Sequence, residues 1–218
     1  MWLLEELGIE YNLNLFERQT SGPNKHRAPD SLKESHPIGK SPQLITPEGR
    51  VIIERSAIAK YLIDKYDAAG KFKINQNDPD NDIIREEELM SLGGTSLSSM
   101  LMIKVILGYV QSASPFFIRP VMGVISSGLN KGFLDKEIDV MLKYLDGVLK
   151  GKEFLLNTTN PTRTDFCTLW YLEQANSLGL DNWRTYPNLK SWFDRCKSRD
   201  GWKRALEKGN GFDMRSLR

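Results

Sequence analysis

Apolar positions along this chain keep two different rhythms, and the character changes after residue 66. Residues 1–7 read as helix, ended by Gly8 where a left-handed residue closes the last turn. Seven residues are few for a helix, because nucleation is costly, so this segment reads as the back half of a longer one. Residues 11–16 alternate Tyr11, Leu13 and Leu15 with Asn12 and Asn14, which predicts a strand. Polar residues 17–27 follow, with turn chemistry at Ser21-Gly22-Pro23-Asn24. Pro29 and Asp30 open a short helix that runs to Ser35. Residues 43–46 and 50–53 read as short strands joined by Pro47-Glu48-Gly49, a turn of hairpin length. A helix over 54–66 sets Ala57, Ile58, Tyr61 and Leu62 on one face.

Residues 67–82 break the pattern. Gly70, Asn75, Asn77, Pro79 and Asn81 stand among polar residues and predict an interdomain linker. Beyond it the strand signal almost vanishes. Helices are predicted over 83–111, 116–126, 135–150, 163–178, 189–199 and 202–207. The expected fold class is α+β: a small mixed domain over 1–66, a linker over 67–82, and an all-helical domain over 83–218. No internal repeat occurs, and the one biased segment is the serine-rich stretch 91–99.

Composition narrows the function. The 30 Lys and Arg nearly balance the 28 Asp and Glu, so the chain carries no electrostatic footprint for nucleic acid or for an anionic membrane. A weak basic bias at the C-terminus, including Arg195, Lys197, Arg199, Arg215 and Arg218, reads as a solvated helix face. Cys167 and Cys196 make no disulfide framework and suit a reducing compartment. Cys167 lies in the apolar run Phe166-Cys167-Thr168-Leu169-Trp170 and reads as buried filler. His26 and His36, the only histidines, have no metal-ligand spacing, so no metal is expected. The opening Trp2-Leu3-Leu4 is cut short by Glu5-Glu6, unlike a signal peptide. No stretch reads as long enough to span a bilayer, since Lys104 interrupts the most apolar run, 100–107.

Three motifs carry chemistry or structure. His36-Pro37-Ile38-Gly39-Lys40-Ser41-Pro42 leads into the first hairpin strand. On sequence alone the Ser41–Pro42 bond reads as trans, the form of most X-Pro bonds. Glu54-Arg55-Ser56-Ala57-Ile58 stands where the second strand meets a helix, a place that suits an anion. Thr162-Arg163-Thr164-Asp165 makes a capping box, with Pro161 and Phe166 at the spacing of a hydrophobic staple, and its role reads as structural. In addition, Gly93-Gly94 interrupts a helical pattern at a cost of about 2 kcal/mol, which a cleft, a tight helix contact or a kink would explain.

Together with Arg27-Ala28-Pro29, Leu32-Lys33 and Trp2-Leu3-Leu4-Glu5-Glu6-Leu7, these residues resemble the fungal-type cytosolic glutathione transferases over nearly the whole chain. The resemblance implies a thioredoxin-like N-terminal domain and a helical C-terminal one. It implies a cis Ser41–Pro42 bond, with the loop backbone pairing the cysteinyl part of glutathione and Lys40 near the glycine carboxylate. The family pattern at the junction is Glu-Ser-X-Ala-Ile. Glu54, Ala57 and Ile58 match it, but Arg55 stands in the serine position and Ser56 comes one residue late. The arginine can grip the γ-glutamyl carboxylate or fill its pocket. The resemblance also implies an electrophile site beside Met90, Leu97 and Met100, a cytoplasmic homodimer, and glutathione as co-substrate in detoxification. Family members begin roughly twenty residues earlier, so the residue that activates the thiol is expected upstream of Met1, and the sequence reads as truncated or given a misplaced start. Conjugation of glutathione to small apolar electrophiles is the leading expectation, with peroxide reduction using the same site. The alternative is a non-catalytic binding or regulatory protein on this fold.

Overall fold

The computed structural model describes residues 1–19, 21–22, 27–75, 78, 81–180 and 183–209. His26, Pro23 and Asn24 of the expected turn, Asn77 and Pro79 of the expected linker, and Arg215 and Arg218 lie outside the described residues. The chain forms two compact units. One comprises residues 1–73 and the helix that begins after Arg199; the other comprises 74–198.

The first unit is small and mixed. Helix α1 (Trp2–Leu7) ends as expected at Gly8, whose φ of 65° lets the Gly8 and Ile9 N–H groups reach back to Glu5 and Leu4. A single turn, α2 (Leu32–Ser35), follows, and then strands β1 (Gln43–Ile45) and β2 (Val51–Ile53). Thr46, Gly49 and Arg50 close the hairpin turn, with Gly49 at φ 82°. Helix α3 (Arg55–Tyr66) packs on β2 and α1, burying Ala59, Leu62 and Ile63. Helix α10 (Asp200–Lys208) packs on α1, and Trp2 meets Trp202 edge to face at 5.9 Å. Gly201 allows that approach, since a Cβ there would lie 2.9 Å from the Glu6 side chain.

The strand predicted over 11–16 does not form. Among the described residues the sheet has two strands, and Leu15 and Phe16 are exposed. The alternation is present in the sequence, but a strand needs a neighbour to satisfy its backbone, and no described strand lies beside this segment.

The second unit is all helical among its described residues. Helices α4 (Ile83–Ser91) and α5 (Ser98–Ala113) join through a π-helical segment, Leu92–Leu97. Helices α6 (Arg119–Leu129) and α7 (Asp135–Val148) join through a second, Asn130–Leu134. The predicted gap between 126 and 135 is thus continuous helix, because a π-turn absorbs the irregular stretch around Gly132 without breaking the ladder. Helices α8 (Arg163–Ser177) and α9 (Pro187–Ser198) complete the unit. Leu89, Leu101, Ile138, Leu142, Leu169 and Trp192 form its core. The joined helix Ile83–Ala113 is long and apolar enough, by length and composition alone, to cross a bilayer. That corrects the expectation that no stretch reaches such a length.

Candidate functional site

The hairpin register brings the two singled-out motifs to one end. Gln43 pairs with Ile53 and Leu44 with Ile52, so the next positions outward are Pro42 and Glu54. The Ser41–Pro42 peptide is cis, against the reading from base frequencies and in line with the family resemblance. The loop before it is pinned from behind. Gln43 Nε2 donates to the Leu32 carbonyl at 3.0 Å, and the Ser35 hydroxyl donates to Gln43 Oε1. Gly39 has φ 59°, and a Cβ there would meet Lys33 Cγ at 2.6 Å, so no other residue fits without displacing that side chain. Lys40, Ser41 and Pro42 are exposed.

Glu54 is held at φ 67°, ψ 122°, a conformation that costs a non-glycine residue about 1–3 kcal/mol. Its carbonyl accepts the Ile58 N–H at 2.9 Å, the first bond of α3. No side chain caps that helix, so the N–H groups of residues 55–57 stand at its positive end. Glu54 is exposed and Ser56 half-buried. Arg55 is half-buried with its Nη1 atom shielded from solvent. Among the described residues, the side chains of Lys40, Ser41, Glu54 and Ser56 take no hydrogen-bond or ion-pair partner. One end of the hairpin thus gathers an uncommitted cation, an uncommitted carboxylate and a helix N-terminus. A free carboxylate, a free ammonium group and helix N–H groups can each pair with a group of opposite charge.

The expected electrophile-site residues fall in the helical unit and have different fates. Met90 is buried, Met100 is half-buried, and Leu97 is fully buried. Leu97 lies in the π-helical segment that packs on α4, α7 and α8, so it offers no surface to a ligand and serves the core. The Gly93-Gly94 pair has a packing cause. A Cβ at Gly93 would lie 3.0 Å from Tyr171 Cδ2, and one at Gly94 would lie 3.0 Å from the Tyr171 hydroxyl. Tyr171, half-buried on α8, was not singled out by sequence. The glycine pair was its signal, but nothing local says which ring presses on it.

Other reactive groups are already committed. Tyr11 donates its hydroxyl to Glu5 Oε1 at 2.7 Å, and burial together with that carboxylate raises its pKa. Such a phenol is not poised to stabilise a thiolate. Glu5 also accepts from Lys208 at 2.6 Å and Arg204 at 3.0 Å, and these partners, Lys208 first, hold its pKa down to about 2. Asp165 is fully buried, which raises its pKa. Opposing this, it accepts from the Leu155 N–H at 3.0 Å, the Thr162 N–H at 2.7 Å, the Thr162 hydroxyl at 2.9 Å and Trp192 Nε1 at 2.7 Å. The capping box is therefore structural and joins α8 to α9. Cys167 and Cys196 are buried free thiols. Among the described residues no three His, Cys, Asp or Glu side chains gather as metal ligands.

Known proteins resemble this chain in sequence and in fold. Residues 1–65 match the family model described as glutathione S-transferase, N-terminal domain, and residues 133–200 match the one described as glutathione S-transferase, C-terminal domain. The chain is 26% identical over 209 residues to glutathione S-transferase 3 of Schizosaccharomyces pombe, covering 95% of this chain and 81% of the relative. Its fold is similar to a glutathione S-transferase structure from Actinobacillus pleuropneumoniae, with a TM-score of 0.72 at 22% identity, covering 99% of this chain and 88% of that one. It is also similar to the glutathione transferase URE2P6 of Phanerochaete chrysosporium in complex with oxidized glutathione. There the TM-score is 0.70 at 20% identity, covering 95% of this chain and 88% of that one.

Proposed function

Because this chain belongs to the glutathione S-transferase family, we propose that it holds glutathione where Pro42 meets Glu54 and transfers its sulfur to a small apolar electrophile. The observation that carries this reading is Glu54, strained at φ 67° to direct an exposed, uncommitted carboxylate beside an uncapped helix start. Glu54 faces the γ-glutamyl ammonium group. The N–H groups that open α3, with Ser56 and Arg55, take the γ-glutamyl carboxylate, and Lys40 takes the glycine carboxylate. Ser41 and Pro42 present the loop backbone to the cysteinyl amide. In the transfer the thiol loses its proton, sulfur bonds to the electrophilic carbon, and the leaving group departs with the displaced electron pair. Peroxide reduction would use the same grip on glutathione. Homodimer assembly belongs to this reading too, and light scattering should then give twice the chain mass of 24.9 kDa.

Arg55 favours a second reading, in which the site binds glutathione without turnover. Its half-buried side chain occupies the sequence position of the family's serine. Calorimetric titration with glutathione and an absorbance assay with an aryl halide separate the two. Heat with turnover supports transfer, and heat without turnover supports binding alone. No heat defeats both. Glu54→Gln should weaken binding about tenfold or more, the effect of losing one charge-assisted contact.

A further inference from the structure

We propose that Gln43 is a positioning residue for glutathione: its side-chain amide ties the loop over residues 40–42 to α2 and so sets the backbone that the peptide lies against. The role rests on the glutathione reading, since without that peptide the loop has nothing to present. Lys40, Ser41 and Pro42 are exposed, so no buried side chain of their own holds them in place. Ahead of them the chain closes on itself. The Gly39 N–H donates to the His36 carbonyl at 2.9 Å, and the Ile38 N–H donates to His36 Nδ1 at 3.3 Å. Behind them, the first side chain held by hydrogen bonds is that of Gln43. Its Nε2 group donates to the Leu32 carbonyl at 3.0 Å, and its Oε1 atom accepts the Ser35 hydroxyl. Both partners lie on α2, which the buried Leu32 side chain anchors. So short a helix leaves carbonyls unpaired at its end, and the Gln43 amide takes one of them. Gln43 also opens β1, and its backbone pairs with Ile53, the residue before Glu54. One residue therefore joins α2, the loop and the strand pair that carries Glu54.

The contact suits an amide. It needs a donor toward Leu32 and an acceptor toward Ser35, and the amide carries both in one planar group. A carboxylate there would set an oxygen against the Leu32 carbonyl. The arrangement also separates positioning from stability. The Ser35 hydroxyl lies 3.3 Å from the Leu32 carbonyl as well as beside Gln43. When the Gln43 amide is removed, these two groups satisfy each other, so no buried polar atom is stranded and folding loses little. What disappears is the tie between α2 and the loop. A loop free to shift must be ordered each time the peptide binds, and the entropy of that ordering opposes binding.

Calorimetric titration of the full chain with glutathione tests it. Gln43→Met keeps the length of the side chain and removes both hydrogen bonds, so its Kd should rise about tenfold. Its circular dichroism and thermal midpoint should stay close to the parent's. Gln43→Glu should bind more weakly still. Ser35→Ala removes one of the two bonds and should raise Kd about threefold, whereas Ser35→Thr keeps a hydroxyl and should restore most of the affinity. The double variant Ser35→Ala, Gln43→Met should bind no worse than Gln43→Met alone, because both changes act through one contact. Where an aryl halide is turned over, KM for glutathione should rise while kcat and KM for the halide hold. An unchanged Kd in Gln43→Met, beside a parent that binds, would overturn the role of Gln43 and leave the glutathione reading standing. Additive losses in the double variant would do the same. No heat from the parent would overturn both. If Gln43→Met does not fold, the contrast between Ser35→Ala and Ser35→Thr decides the matter.

Discussion

Glu54 spends backbone energy at a position where glycine would be relaxed. Glu54→Gly should therefore raise the unfolding free energy by about 1 kcal/mol, read by urea denaturation, while reducing the heat of glutathione binding. Gains in both stability and affinity would mean that the strain has no connection to the ligand. Tyr11→Phe makes a contrasting test. Its hydroxyl is committed to Glu5, so the change should cost about 1 kcal/mol of stability and leave aryl-halide turnover untouched. Lys40, Pro42 and Glu54 can be singled out from sequence because each sits in a contiguous motif, and their role in holding glutathione is the proposal made above. Tyr171 was not, because its partners Gly93 and Gly94 are more than seventy residues away.

The elements divide by whether their instructions are local. The Thr162–Asp165 capping box was readable because all its parts lie within one turn, and it forms. Thr162→Ala should cost about 1 kcal/mol. Asp165→Ala should cost about 3–5 kcal/mol, since it strands buried donors on Thr162, Leu155 and Trp192; thermal or urea unfolding of each variant checks the ranking. Gly93→Ala forces a methyl to 3.0 Å from the Tyr171 ring and should destabilise the π-helical segment. The strand over 11–16 shows the opposite case. Its alternation is genuine, but pairing is a property of two segments, and no described strand supplies the second.

At the scale of the molecule, residues from both ends of the chain close the first unit. Glu6 binds Arg199 through two contacts at 2.6 and 2.8 Å, and buried Glu5 binds Arg204 and Lys208. The Glu5 carboxyl is held near 2, below its ordinary 4.5, so its stabilisation is complete above about pH 4.5 and is lost as pH falls toward 2. Fluorescence of the Trp2–Trp202 pair should report acid loosening of α10 in that window. Glu5→Gln should cost about 2 kcal/mol at neutral pH and flatten the acid transition. A variant that keeps the parent's acid transition would place its cause elsewhere.

The sequence by itself determined the mixed-then-helical class, the hairpin, the start of α3, the capping box, and the motifs at 36–42 and 54–58. Each is written within a few residues, where propensity, capping and turn chemistry act. Tertiary structure alone decided that Leu97 belongs to the core, that Tyr171 explains the glycine pair, and that α10 packs on α1. Those outcomes depend on which distant surfaces meet, and a one-dimensional pattern of apolar residues is the same whether a partner covers it or leaves it bare.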